Sequence, residues 1–230
     1  MLNTQRVKGL LFATGYSTEA VAEFVFAAIL ENIRELERGK KLSGEGNYSE
    51  AGFSATEIRG KTFGILGLGR IGSRVAEIAL GFGADVRYWS RNRKRWIETK
   101  GAKYEDADAL IPKCDILSLH FACAKGTENF LNESRIQKIR KGAIVINTAP
   151  MELVDIDALA NSLDRKDITF ILDHSDEMKQ EDIRRLSQYR NCIIYPPIAN
   201  ITSEAKKAKQ DAFVANIENF LSGRPTNIAD

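Results

Sequence analysis

Residues 61–72 read Lys-Thr-Phe-Gly-Ile-Leu-Gly-Leu-Gly-Arg-Ile-Gly, and this stretch decides the fold. Its first six residues suit a short buried strand. Gly67-Leu68-Gly69-Arg70-Ile71-Gly72 fits the pattern G-x-G-x-x-G, and helical spacing follows over 71–80. A glycine-rich turn means most when it joins a strand to a helix, as here. Gly67 permits the tight turn, Gly69 lets the backbone approach a pyrophosphate, and Gly72 lets helix and strand pack closely. The helix start then offers unpaired N–H groups and a positive dipole end to phosphates. The plainer alternative is a tight turn without a ligand.

Further strands are expected at 85–89, 115–119, 143–146, 168–172 and 192–195, with helical patterns between most of them, as at 133–139 and 155–163. Strands alternating with helices imply parallel βαβ units with right-handed crossovers. Ser17 and Thr18 can cap a helix whose apolar positions run from Val21 to Ile33 and which fades at Gly39. Residues 43–47 read as a loop. Residues 201–221 form a final helix, stopped by Gly223-Arg224-Pro225. No repeat or linker interrupts the chain. The expectation is one α/β domain over 1–230, a doubly wound, three-layer Rossmann-type parallel sheet. Its core covers about 40–200, and helices 17–39 and 201–221 flank it.

With 230 residues, 43% hydrophobic and 28% charged, the chain can bury a full core, which excludes wholesale disorder and a disulfide scaffold. A net charge of +2 argues against a dedicated nucleic-acid or membrane-surface partner. Cys114, Cys123 and Cys192 form no C-x-x-C pair, and His120 and His174 are the only imidazoles, so no metal site is expected. Reduced thiols suit the cytoplasm. The amino-terminal MLNTQRVKGLLFATG lacks a secretory pattern, and the apolar run 24–30 is too short to span a bilayer.

An NAD-preferring site carries Asp or Glu about 20 residues beyond the glycines, at the end of the second strand. Here that strand ends Arg87-Tyr88-Trp89, followed by Ser90-Arg91-Asn92-Arg93-Lys94-Arg95. A hydroxyl and a guanidinium suit a 2′-phosphate, and the missing carboxylate removes a repulsion. The residues therefore point to NADP, with NAD as the alternative. Ser90, Arg91 and Arg93 are the candidates, whereas Lys94 and Arg95 read as a solvated helix start.

These patterns, in this order, resemble the D-isomer-specific 2-hydroxyacid dehydrogenases. Ser17-Thr18-Glu19-Ala20-Val21-Ala22-Glu23 resembles the helix before their cofactor domain, and 60–72 resembles their dinucleotide motif. Asp115 to His120 with Thr127, Asn147-Thr148-Ala149, Leu153-Val154-Asp155, Ala158-Leu159, Pro196, Ile198 and Glu204-Ala205 resemble later blocks. The resemblance runs from about Gly9 to Pro225. It implies that His120 and Thr127 lie near the cofactor, that Asp173 accepts from a nicotinamide carboxamide, and that the cofactor domain forms a homodimer. It also implies a preceding substrate lobe of roughly a hundred residues, a small domain's length. The expectation is a fragment, a lobe supplied by a separate chain, or a lobe that has been lost.

The resemblance places the family's catalytic groups on altered residues. The substrate-gripping arginine falls on Pro150, the acid/base histidine on Pro197, and the glutamate that orients it on Met178, with Glu177 one position early. Proline offers no side-chain donor. No catalytic residue is assigned. His174, just after Asp173, and Glu177 are the candidates for a substitute pair, although an exposed loop histidine is the plainer reading. Three functions follow. The first is a module that binds NADP(H) with impaired hydride-transfer chemistry. The second is an active 2-oxoacid reductase needing a separate substrate lobe. The third, an interaction domain without cofactor, is disfavoured by the retained glycines, which are costly where their freedom is not needed.

Overall fold

The computed structural model describes residues 15–227. The stretch read above for a secretory signal, and the start of the resemblance at Gly9, lie largely or wholly outside them. Seven parallel strands form one sheet: β1 (Thr62–Leu66), β2 (Asp85–Trp89), β3 (Lys103–Tyr104), β4 (Ile116–Leu119), β5 (Ala143–Asn147), β6 (Ile168–Leu172) and β7 (Cys192–Ile194). Their order is β3-β2-β1-β4-β5-β6-β7. The chain therefore reverses direction across the sheet between β1 and β4, the switch point where open α/β sheets bind ligands.

The helices are α1 (Thr18–Arg34), α2 (Leu36–Gly44), α3 (Arg70–Gly81), α4 (Arg95–Glu98), α5 (Ala107–Leu110), α6 (Glu133–Ile136), α7 (Ile156–Asp164), α8 (Gln180–Leu186) and α9 (Ser203–Leu221). Alternate residues of each strand point to opposite faces, which gives two cores. Phe63, Ile65, Val86, Ile144 and Ile146 pack under α1 and α3 with Val25, Ile29, Val75 and Ala79. Leu66, Leu117, Val145 and Phe170 pack on the other face with Leu110, Leu159 and Leu163 from α5 and α7. This is the expected three-layer sandwich.

Three local expectations change. The first helix does not fade at Gly39. It breaks at Glu35, whose backbone is left-handed (φ 49°), and α2 continues to Gly44, absorbing the first residues of the expected 43–47 loop. Glu35 holds this corner by accepting from Arg38 (2.6 Å) and from the Ser54 N–H (2.9 Å). Ser17 makes no side-chain cap; instead the Thr18 hydroxyl donates to the Gly15 carbonyl. The two-residue strand β3 and helix α8 have no strong periodic signal and emerge only by pairing with β2 and by packing of Leu186. The stripe Val25, Ala28 and Ile29 is spent on the core, and Phe24 packs edge-on against Tyr195 at 5.3 Å.

Candidate functional site

The glycine turn sits where three strands end together. The Gly67 N–H donates to the Trp89 carbonyl and the His120 N–H donates to the Leu66 carbonyl, each at 2.8 Å. Gly67 has φ +94°, and a Cβ there would stand 2.7 Å from the Phe121 Cβ. A Cβ on Gly72 would stand 2.0 Å from the Gly67 carbonyl oxygen, so α3 packs on β1 only through glycine. Gly69 differs. A Cβ there would meet no protein atom within 4 Å. It is the N-cap of α3 and supplies no side-chain acceptor for the first-turn amides. Open space in front of uncapped helix amides is the arrangement a phosphate fills.

That space is a groove of about 280 Å³, lined among others by Gly67, Gly69, Trp89, Ser90, Arg91, Lys94 and His120. Arg70 and Ile71 line a second recess of about 240 Å³ with Gly15, Ser17 and Thr18, and His120 borders both. A larger depression of about 530 Å³ lies elsewhere, between 151–157 and 177–182. Its lining includes Glu152, Asp155, Asp157, Glu177 and Asp182 against Lys179 alone, so its field repels an anionic ligand. Of these recesses, the glycine groove is the one whose cationic lining and open helix amides suit a phosphate.

The basic run after β2 divides within a few residues. Arg91 and Lys94 line the groove. Arg93 does not: its guanidinium is paired with Glu98 at 2.7 and 2.8 Å and lies over the Tyr104 ring. Ser90 is buried (7% exposed), and its hydroxyl donates to the Asn92 carbonyl at 2.6 Å, so its proton holds the turn. Lys94, read from sequence as a solvated helix start, is brought into the groove. Its signal was its place three residues after Arg91 across a turn.

His120 is pinned between Ser118 Oγ (2.6 Å from Nε2) and Thr148 Oγ1 (3.2 Å from Nδ1). Burial pulls its pKa down to about 3, so it is a neutral hydrogen-bonding wall at physiological pH. Thr127 is outside both recesses. Its hydroxyl donates to the Ala124 carbonyl and accepts the Ala124 N–H, closing the loop after β4.

Asp173 follows β6 and is almost fully buried (3% exposed). One carboxylate oxygen accepts the Ala199 N–H at 3.0 Å, and the other has no hydrogen-bond partner. Burial pushes its pKa up, against the pull of the Ala199 N–H and of His174. A buried acceptor without a donor fits an amide NH₂ group. Together with the open space at Gly69, it makes the residues present fit a nicotinamide dinucleotide. Gly67, Gly69, Arg70 and Ile71 would hold its phosphates, and Asp173 its carboxamide end. When bound, such a group supplies hydride-transfer chemistry.

Pro197 is exposed and Pro150 half-buried. His174 Nδ1 makes no hydrogen bond and stands 3.6 Å from Glu177 Oε2, while Glu177 also lines the acidic depression. Among the described residues no cluster of His, Cys, Asp and Glu could hold a metal ion, and no helix is long and apolar enough to cross a membrane.

Comparison with known proteins agrees with this geometry. Residues 26–199 match the family model for the D-isomer specific 2-hydroxyacid dehydrogenase, NAD binding domain. The chain is 35% identical over 226 residues to a glyoxylate reductase of Aeropyrum pernix, covering 94% of this chain and 68% of that one. Its fold is similar to D-lactate dehydrogenase from Aquifex aeolicus complexed with NAD and lactic acid (TM-score 0.86, 30% identity, 94% of this chain and 70% of that one). It is equally similar to an acyclic imino acid reductase in complex with NADPH and D-Arg (TM-score 0.86, 30% identity, 96% and 71%). The chain spans 64–68% of the length of the first curated relatives it matches. A doubly wound sheet, a glycine cradle at its switch point and this match over most of the chain lead to one conclusion: the protein belongs to the D-isomer specific 2-hydroxyacid dehydrogenase family and comprises its NAD-binding domain.

Proposed function

We propose that this chain is a single cofactor-binding module that takes NADP(H) in preference to NAD(H) and is impaired in the family's chemistry. One observation carries the cofactor choice. The groove at the end of β2 is lined by two cations, Arg91 and Lys94, and no carboxylate stands among its lining residues. A dianionic 2′-phosphate gains charge-assisted hydrogen bonds there, and a ribose 2′-hydroxyl lacks its usual acidic partner. Impairment follows from Pro150, Pro197 and Met178 at the positions of the family's arginine, histidine and glutamate. A positioned general acid is worth about 10²–10⁴ in rate, and neither proline can serve as one.

The same reading includes a homodimer and a cytoplasmic setting. The described surface has apolar area to spare on α9, where Phe213, Ile217 and Leu221 are exposed. Sedimentation at several protein concentrations tests the dimer.

A second reading has one observation in its favour. His174 and Glu177 stand 3.6 Å apart on the loop after β6, which suits a substitute acid/base pair in a reductase whose substrate lobe comes from a separate chain. One experiment separates the two. NADPH and NADH are titrated into the protein by calorimetry, then glyoxylate, hydroxypyruvate and pyruvate are added at high protein concentration. Tighter binding of NADPH with no oxidation supports the first reading. Oxidation abolished by His174→Ala supports the second. Equal affinity for both nucleotides removes the 2′-phosphate assignment, and absence of binding removes both readings.

A further inference from the structure

Tyr88 lies in β2 with its ring fully buried and packed edge-on against Tyr104 at 5.5 Å. Its hydroxyl is engaged on both sides. It donates to Glu98 Oε1 at 2.7 Å and accepts the backbone N–H of Lys94 at 2.7 Å. Burial pushes the phenol pKa up to about 12, so the donor toward Glu98 persists at physiological pH. Glu98 is also gripped by the Arg93 guanidinium through two hydrogen bonds.

These bonds close a small frame around residues 90–95. At its start the Ser90 hydroxyl holds the Asn92 carbonyl. At its end Lys94 is the N-cap of α4, with φ −115° and ψ 83° and no side-chain cap of its own. The Tyr88 hydroxyl takes its N–H instead. Within the frame Arg93 is spent on Glu98, outside the groove, and Arg91 and Lys94 on either side of it line the groove. The Tyr88 hydroxyl is not among the groove's lining residues, yet it bonds the turn from which Arg91 and Lys94 reach the groove.

We propose that Tyr88 is a positioning residue for cofactor choice, its hydroxyl holding the 90–95 turn so that Arg91 and Lys94 converge on the 2′-phosphate of NADP. This rests on the NADP reading given above. Tyr88 touches no part of the ligand. Its effect is confined to the adenosine end, and there to the phosphate rather than to the base or the 5′ side.

The test uses adenosine 2′,5′-bisphosphate and 5′-AMP as probes, titrated by calorimetry into the native protein, Tyr88→Phe and Glu98→Gln. Tyr88→Phe should weaken the bisphosphate about five- to tenfold while changing 5′-AMP by less than about twofold, the loss expected when charge-assisted bonds are misaimed. Glu98→Gln, which loosens the same frame from its other side and leaves the phenol in place, should shift the ratio in the same direction by less. Thermal melts of each variant confirm folding. Equal weakening of both probes would mean that Tyr88 merely supports the fold, and unchanged affinities in folded Tyr88→Phe would remove its role altogether. A native protein that binds both probes equally would instead overturn the NADP reading, and this inference with it.

Discussion

A Cβ placed on Gly72 would lie 2.0 Å from the carbonyl oxygen of Gly67, five residues earlier on the far side of the same turn. The obstacle is backbone, so no side-chain rotation relieves it. The first helical turn of α3 and the glycine turn are therefore one rigid piece.

Gly72→Ala should lower stability by about 1–3 kcal/mol, the usual range for an overpacked core position, and weaken dinucleotide binding at least about tenfold as α3 is pushed from β1. Thermal melts and a nucleotide titration check both parts. Native-like values for both would show that the cradle tolerates displacement of α3.

His120 links stability to pH. Its folded pKa of about 3 lies below the ordinary 6.5, so the unfolded chain takes up a proton that the fold excludes. Its contribution is intact above pH 6.5 and is lost as pH falls toward 3, by up to about 1.4 kcal/mol per unit. Urea unfolding at pH 7.5, 6 and 5 should show this slope, and His120→Gln should flatten it. Parallel slopes in the two proteins would count against an imidazole held neutral by desolvation.

Asp173 has the opposite sign. Its carboxyl is raised by burial, so the fold favours the protonated form, and stability is lost as pH rises through the folded pKa. Asp173→Asn should raise the melting temperature at pH 8, and the gain should be smaller at pH 4, near the ordinary aspartate value of 3.8. The same variant should weaken NADPH while sparing adenosine 2′,5′-bisphosphate, because Asp173 faces only the nicotinamide end in this assignment. A lowered melting temperature at both pH values would contradict the desolvated carboxylate.

The three thiols should separate by access. Cys114 and Cys192 are buried, and desolvation pushes each up to about 12, whereas Cys123 is half-buried on the loop after β4. An aromatic disulfide reagent at pH 8 should label Cys123 within minutes and the other two only in denaturant. Rapid labelling of Cys114 in the native protein would show that α5 opens from the sheet, since its thiol donates to the Leu110 carbonyl there.

Residues 61–72 alone were enough to assign the strand, the turn and the helix, because glycine at three fixed positions is a demand that local backbone geometry makes without help from the rest of the chain. The strand at 168–172 follows in the same way from a short apolar run, since burial on both faces of a parallel sheet leaves little else it can be, whereas 85–89 buries only alternate residues, Val86 and Tyr88. That Pro150 and Pro197 carry no side-chain donor was equally legible, because a side chain that lacks a donor lacks it in any fold. Tertiary structure decided the rest. That Arg93 pairs with Glu98 while Arg91 and Lys94 line the groove is a matter of tertiary contacts, and hydrophobic periodicity carries no information about a hydrogen bond across a turn. The break at Glu35 depends on Ser54 and Arg38 gathering on one carboxylate, and β3 exists only because β2 is beside it. Local sequence fixes what each segment can become. Which polar groups meet is settled only when segments distant in the chain are brought within 3 Å of one another, where burial makes each unpaired partner costly.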